Sequence, residues 1–257
     1  MQGYAGSGLL ERRRALITGG DSGIGRAVAV AFAKEGADVV IAYLDEHDDA
    51  RRTVELVEEA GRSCWALAAD LSTEAECDRV VDAAVESLGG LDLLVNNLAT
   101  QQPQDSLLDI TTEQWERTLA TNLSSYFWVT RRALDHLGDG ASIINTASIN
   151  GLRGNKSLID YSATKGAIIA LTYSLAQSLT GDGIRVNCVA PGPVWTPLIP
   201  ATMPEDKVDG FGEQTPMGRV AQPDEIAPSY VFFASGRLSS YYTGEVLGPI
   251  GGETLPG

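Results

Sequence analysis

The chain has 257 residues, 44% of them hydrophobic and 21% charged, a globular composition with length for one large α/β domain. Its formal net charge of −15 argues against nucleic acid or an anionic membrane as partner, and no apolar run reaches the length of a membrane span. The two histidines, His47 and His136, have no partner at ligand spacing, so no metal site is expected.

Residues 1–13 read as a flexible arm, Gly-rich and then basic, with no apolar stretch of the signal-peptide kind. Ala15-Leu16-Ile17-Thr18 reads as a buried strand, followed directly by Gly19-Gly20-Asp21-Ser22-Gly23-Ile24-Gly25 and a helix that stops at Gly36. Strand, glycine turn and helix in this order form the context of a dinucleotide fingerprint: the glycines let the backbone approach a pyrophosphate, and the helix N-terminus offers unpaired N–H groups. Asp38 to Tyr43 reads as a second strand, with Asp45 at the distance from the turn where an acid that grips a ribose is expected. Acids also favour the first turn of a helix, so Asp45 has two readings.

The alternation continues with a helix over 49–60, a strand from Cys64 to Ala69 ending at Asp70, and a helix from Thr73 to Leu88 opened by Thr73 and Glu76 as a capping box. Leu91 to Val95 is the fourth strand and runs into Asn96-Asn97-Leu98-Ala99. A long helix over 111–137 carries Trp115, Leu119, Tyr126, Val129 and Ala133 on an apolar stripe on which Asn122 also falls. A buried amide must be hydrogen-bonded, which makes Asn122 a site candidate, a kink, or a residue bonded within its own helix.

Ser142 to Thr146 is a buried strand that leads to Ser148 at its carboxyl end, where open α/β sheets bind ligands. After a short polar loop, a helix over 157–179 would carry Tyr161 and Lys165 on one face. A phenol with a reference pKa near ~10 needs roughly 4 kcal/mol of preferential phenolate stabilisation to titrate near 7, and a lysine cation can supply part of it. Such a pair also occurs by chance, as a core aromatic and a solvated lysine. Arg185 to Ala190 is a sixth strand, the region 193–218 a lid with Trp195, Leu198, Ile199, Phe211 and Met217, and Pro223 starts a last helix that Pro228 should distort. Val246-Leu247 forms a seventh strand. Residues 14–257 are thus expected as a single doubly wound (Rossmann) domain of about seven parallel strands flanked by helices on both faces. The cysteines Cys64, Cys77 and Cys188 are odd in number and without CxxC spacing, which suggests reduced thiols in the cytoplasm.

Thr18-Gly19-x3-Gly23-Ile24-Gly25, Asp70, Asn96-Asn97, Asn122, Ser148, Tyr161-x3-Lys165 and Pro191-Gly192 with Thr196 together resemble the short-chain dehydrogenase/reductase family, from about residue 12 to 252. The resemblance implies an NAD(P)-dependent oxidoreductase that interconverts an alcohol and a carbonyl by hydride transfer. Tyr161 would be its general acid/base, Ser148 would bond the substrate oxygen, Lys165 would bind the nicotinamide ribose and lower the pKa of Tyr161, and Asn122 would hold a water behind Lys165. The cofactor would lie against Gly19, Asp21, Ser22, Gly23, Ile24, Tyr43, Asp45, Asp70, Leu71, Asn97, Ala99, Tyr161, Lys165, Pro191, Gly192, Val194 and Thr196. Asp70 would meet the adenine and Thr196 the carboxamide. Acidic residues after the second strand would repel a 2′-phosphate, which tips the expectation slightly towards NAD. Family members are commonly tetramers built on the helices that carry Asn122 and Tyr161. Leu98-Ala99 and Leu247-Gly248-Pro249-Ile250-Gly251-Gly252 depart from the family's usual Asn-Asn-Ala-Gly and Val-Asp-Gly-Gly. The alternatives are a catalytically silent nucleotide-binding regulator of the same fold, and a nucleotide-sugar epimerase or dehydratase.

Overall fold

The computed structural model describes residues 1, 3–202 and 210–254. Seven strands, β1 (Arg14–Thr18), β2 (Asp38–Tyr43), β3 (Cys64–Ala68), β4 (Leu93–Asn96), β5 (Ser142–Thr146), β6 (Arg185–Val189) and β7 (Val246–Leu247), form one parallel sheet in the order 3-2-1-4-5-6-7. Because β1 pairs with both β2 and β4, the winding reverses between them, and a crevice opens at the carboxyl ends of the strands.

Alternation along each strand divides the core in two. Ile17, Val39, Ile41, Val95 and Ile144 pack against α1 (Gly23–Lys34) and the last long helix, α9 (Pro223–Ala234). Leu16, Val40, Leu94, Ile143 and Val186 face the other way, onto α3 (Glu74–Leu88), α5 (Ser125–Ala133) and α7 (Ile159–Leu179). Among the described residues the remaining α-helices are α2 (His47–Glu59), α4 (Thr112–Leu119), α6 (Ile149–Arg153), α8 (Leu198–Thr202) and the single turn α10 (Gly236–Ser239).

Four expectations are modified. The long helix is interrupted by a π turn at Ala120–Ser124, which contains Asn122. The extra residue rotates the faces of α4 and α5 against each other, so Trp115 is exposed while Tyr126, Val129 and Ala133 are buried. The polar loop after Ser148 contains α6, with Ser148 as its N-cap. At α3 only half the capping box forms: Thr73 accepts from the Glu76 amide, whereas the Glu76 carboxylate pairs with Arg79. Helix α9 runs unbroken through Pro228, with a complete capping box from Gln222 and Glu225.

Residues ahead of β1 lie along α1. The buried Glu35 carboxylate accepts from the Tyr4 hydroxyl and from the Ser7 and Leu9 amides, and Lys34 Nζ donates to the carbonyls of Met1 and Tyr4. Burial alone would raise the Glu35 pKa, but the hydrogen bonds from Tyr4, Leu9 and Ser7 outweigh it and hold the carboxyl below its usual value. A depressed carboxyl contributes stability above its unfolded pKa and loses it as pH falls through the folded value. Glu35→Ala should therefore cost about 1–3 kcal/mol at pH 7. In thermal melts at a series of pH values, its deficit against the unaltered chain should shrink below about pH 4, near the ordinary glutamate value.

Candidate active site

The carboxyl ends of the strands open onto a single cleft of about 1080 Å³. At its floor, Gly19 and Gly23 have φ of 63° and 52°, left-handed backbone that glycine adopts without strain. Space enforces the same choice, since a Cβ on Gly25 would lie 1.9 Å from the Gly19 carbonyl oxygen. Asn97 Nδ2 donates to that carbonyl at 3.0 Å, and Arg26 staples the turn from behind through Nη2 to Asp21 O at 2.6 Å and to Asp49 Oδ1 at 2.6 Å. Ser22 caps α1 with extended backbone and no side-chain capping bond, which leaves the first-turn amides beside Ser22, Gly23 and Ile24 for a ligand. A glycine cradle that no Cβ could enter, ending in unshared helix amides, fits a dinucleotide pyrophosphate.

Around this floor stand Asp21, Tyr43, Asp70, Leu71, Asn97, Ala99, Pro191, Gly192, Val194 and Thr196, all lining the cleft. Asp21 is buried, and desolvation raises its pKa. Asp45 is not among the lining residues; its neighbours Glu46 and Asp49 are, because the chain turns at Asp45 into α2, with the His47 amide bonded to the Asp45 carbonyl at 2.9 Å. Tyr43 OH pairs with His47 Nδ1 at 2.9 Å. Asp70 pairs with Arg117 at 2.9 Å and accepts from the Ser72 amide; these bonds overcome the effect of burial and keep its carboxyl below the usual range. The bulk of Leu98 turns partly into the core, and the Pro249 carbonyl accepts from the Gly192 amide, so the unusual C-terminal sequence closes beneath the Pro191-Gly192 turn. Of the lid residues, Leu198, Ile199 and Phe211 line the cleft; Trp195 does not, and Met217 lines a smaller pocket behind it. Residues 203–209 of the expected lid lie outside the described residues.

Ser148, Tyr161 and Lys165 meet in the same cleft. Lys165 is 1% exposed; its Nζ donates to the Thr146 carbonyl at 2.8 Å and lies 3.5 Å from Tyr126 OH and 5.5 Å from the centre of the Tyr161 ring. Burial pushes the Tyr161 phenol up to about 12, with the Ser148 hydroxyl acting in the opposite direction. Burial also draws Lys165 down to about 7. Asn122 does not line the cleft: its Oδ1 accepts from Thr100 N and its Nδ2 donates to Thr100 O, both at 2.8 Å. Tyr126, Thr146 and Arg117 escaped the sequence reading. Tyr126 follows Asn122 by one helical turn, but its stripe position reads as core packing.

The cleft thus joins a glycine turn with free helix amides to a hydroxyl, a phenol and a lysine amine. Residues 19–254 match a family model described as enoyl-(acyl carrier protein) reductase. The chain belongs to the short-chain dehydrogenase/reductase family. It is 50% identical over 258 residues to the NADPH-dependent aldehyde reductase 1, chloroplastic, of Arabidopsis thaliana, covering 98% of this chain and 90% of that protein. It is 48% identical over 260 residues to the glucose and ribitol dehydrogenase of Daucus carota, covering 99% of this chain and 89% of that protein. Among solved structures, a short-chain dehydrogenase from Burkholderia cenocepacia in complex with NADP superposes with a TM-score of 0.88 at 34% identity, over 95% of this chain and 98% of the other. The chain is an oxidoreductase of this family. Among the described residues no cluster suits a metal ion, and no helix is long and apolar enough to cross a membrane.

A buried lysine with a lowered pKa binds fewer protons folded than unfolded between about pH 7 and its unfolded value near 10.5. Stability contributed through this site therefore rises as pH increases through that window. Denaturant titrations of Lys165→Met and the unaltered chain between pH 6.5 and 9.5 should show a smaller upward slope in the variant.

Proposed function

We propose that this oxidoreductase interconverts an alcohol and a carbonyl, with Tyr161 as its general acid/base and NAD(P) as its redox partner. The observation that carries the reading is the arrival of Ser148, Tyr161 and Lys165 at one end of the cleft whose floor is the glycine turn. When bound, the nicotinamide supplies or accepts the hydride. In the reducing direction the Tyr161 hydroxyl gives its proton to the substrate oxygen, while the Ser148 hydroxyl donates a hydrogen bond to the same oxygen and stabilises charge as it develops. A phenol held at about 12 stays protonated at neutral pH, which suits it to act as an acid. In the oxidising direction Tyr161 first gives up its own proton, which the Lys165 amine, drawn down to about 7 and 5.5 Å from the centre of the Tyr161 ring, can receive, and the phenolate then takes the proton of the alcohol. Asn122 supports the site by holding both backbone polar groups of Thr100. The first-turn amides of α1 would hold the pyrophosphate, with Asp70 near the adenine and Thr196 near the carboxamide. Relatives named for an aldehyde and for glucose and ribitol support the alcohol and carbonyl class.

Replacing Tyr161 by Phe keeps the ring and removes the proton. In steady-state assays kcat should fall by about 10²–10⁴-fold while the nucleotide Kd stays within a few-fold; retention of most of the activity would refute the assignment. Turnover with any alcohol or carbonyl also disposes of the silent-regulator alternative.

For the nucleotide, a preference for NAD follows from the charges beside β2. Glu46, Asp49 and Asp21 border the cleft there, and Arg26, behind the turn, is committed to Asp49 and to the Asp21 carbonyl. The NADP complex of the structural relative and the NADPH-dependent homologue mark the other possibility within the same fold. Calorimetric titration should give a several-fold lower Kd for NADH than for NADPH; the reverse order would overturn this preference.

A homotetramer built on α5 and α7 is part of the same reading, since Phe127 and Tyr173 on these helices stand exposed, at 48% and 44%. The three free, buried cysteines support a reducing, cytoplasmic setting.

A further inference from the structure

One side of the cleft is bordered by residues 99–101 and 103–105, and two glutamines of this loop, Gln101 and Gln104, line it. A glutamine can present either its NH₂ or its carbonyl oxygen, and only its neighbours determine which. In both cases the neighbours leave one choice.

The first chain of bonds begins at Asp160, 1% exposed and one residue before Tyr161. Its Oδ1 accepts from the Tyr161 amide at 2.9 Å, and its Oδ2 accepts from Thr118 Oγ1 at 2.8 Å and from Gln114 Nε2 at 3.0 Å. Gln114 Nε2 also donates to the Gln102 carbonyl at 3.1 Å. A carboxylate and a peptide carbonyl can only accept, so Gln114 must turn its NH₂ to them and its Oε1 away. That Oε1 receives Gln104 Nε2 at 2.7 Å. Gln104 therefore ends the chain in a carbonyl oxygen, to which no described group donates.

The second chain is independent. The Thr202 hydroxyl gives its single proton to the Leu198 carbonyl at 2.6 Å and can only accept from Gln101 Nε2, at 2.8 Å. Gln101 is left with its carbonyl oxygen, again without a described donor. The cations at the cleft are engaged: Arg153 pairs with Glu253, Arg117 with Asp70, and Lys165 is buried on Thr146. This side of the cleft thus offers acceptors oriented by their own bonding and no uncommitted cation among the described residues.

We propose that Gln101 and Gln104 are specificity-determining residues that accept hydrogen bonds from hydroxyl groups near the reacting carbon, so that the substrate is a polyhydroxylated aldehyde or polyol. Gln114 and Asp160 are the positioning residues that set the polarity of Gln104. This rests on the alcohol and carbonyl reading above and supplies the substrate class that reading leaves open.

The test compares glyceraldehyde with propanal, which has the same carbon chain without the hydroxyls, and glycerol with 1-propanol in the reverse direction. The unaltered enzyme should favour glyceraldehyde by about tenfold or more in kcat/KM, because oriented acceptors left without donors penalise the deoxy analogue. Gln104→Leu and Gln101→Leu should each narrow the ratio. Gln114→Leu, which touches no substrate, should narrow it through a higher KM for glyceraldehyde, with kcat within about twofold and with nucleotide Kd and melting temperature preserved. Equal use of the two aldehydes, or a ratio unmoved by all three variants, overturns this assignment and leaves the proposed reaction standing. Absence of turnover with all four compounds overturns the proposed reaction itself, and this assignment with it.

Discussion

An ammonium group taken out of water must find acceptors at once, and Lys165 finds its principal one in the Thr146 carbonyl at the end of β5. That bond ties the long helix α7 to the central strands, and it gathers other groups. Tyr126 OH reaches both the Thr146 and the Leu98 carbonyls, and Thr146 Oγ1 bonds Asn97 and Tyr230. Asn97 in turn holds the Gly19 carbonyl of the glycine turn. The glycine turn and Lys165 are therefore parts of one hydrogen-bonded body, with the Tyr161 ring beside the lysine.

Asn122 serves the same body by other means. A π turn costs regular helix geometry, and here it sets the Asn122 amide against both backbone polar groups of Thr100. The loop that follows is held further along by Gln114 and by the Ser157 carbonyl, which accepts from the Gln104 amide. Two stretches of the cleft wall share this support, one at Asn97 and Ala99 and the other at Gln101 and Gln104. A change in either stretch must respect the backbone that both use.

Burial moves the two central titrating groups in opposite directions, since it penalises phenolate and ammonium alike. The phenol is kept protonated and the lysine is brought towards neutrality. The Ser148 hydroxyl favours ionised Tyr161, and Lys165 anchors the end of β5.

Local pattern was enough for much of this architecture. Apolar runs mark the central strands β1, β2, β4 and β5, because a parallel sheet covered on both faces must be apolar on both. The glycine turn, Ser148 and the Tyr161 and Lys165 pair are legible for a related reason: a backbone approach that admits no Cβ and a four-residue helical spacing are local constraints. Tertiary structure alone decided the rest. The π turn sets Asn122 against Thr100, 22 residues away, and Glu46 and Asp49 rather than Asp45 line the cleft once α2 has docked. Arg117 meets Asp70 across 47 residues of sequence, and Asp160 orients Gln104 through Gln114 across 46 and 10. Hydrogen-bond polarity between distant side chains has no period and no spacing, so it exists only once the chain has folded.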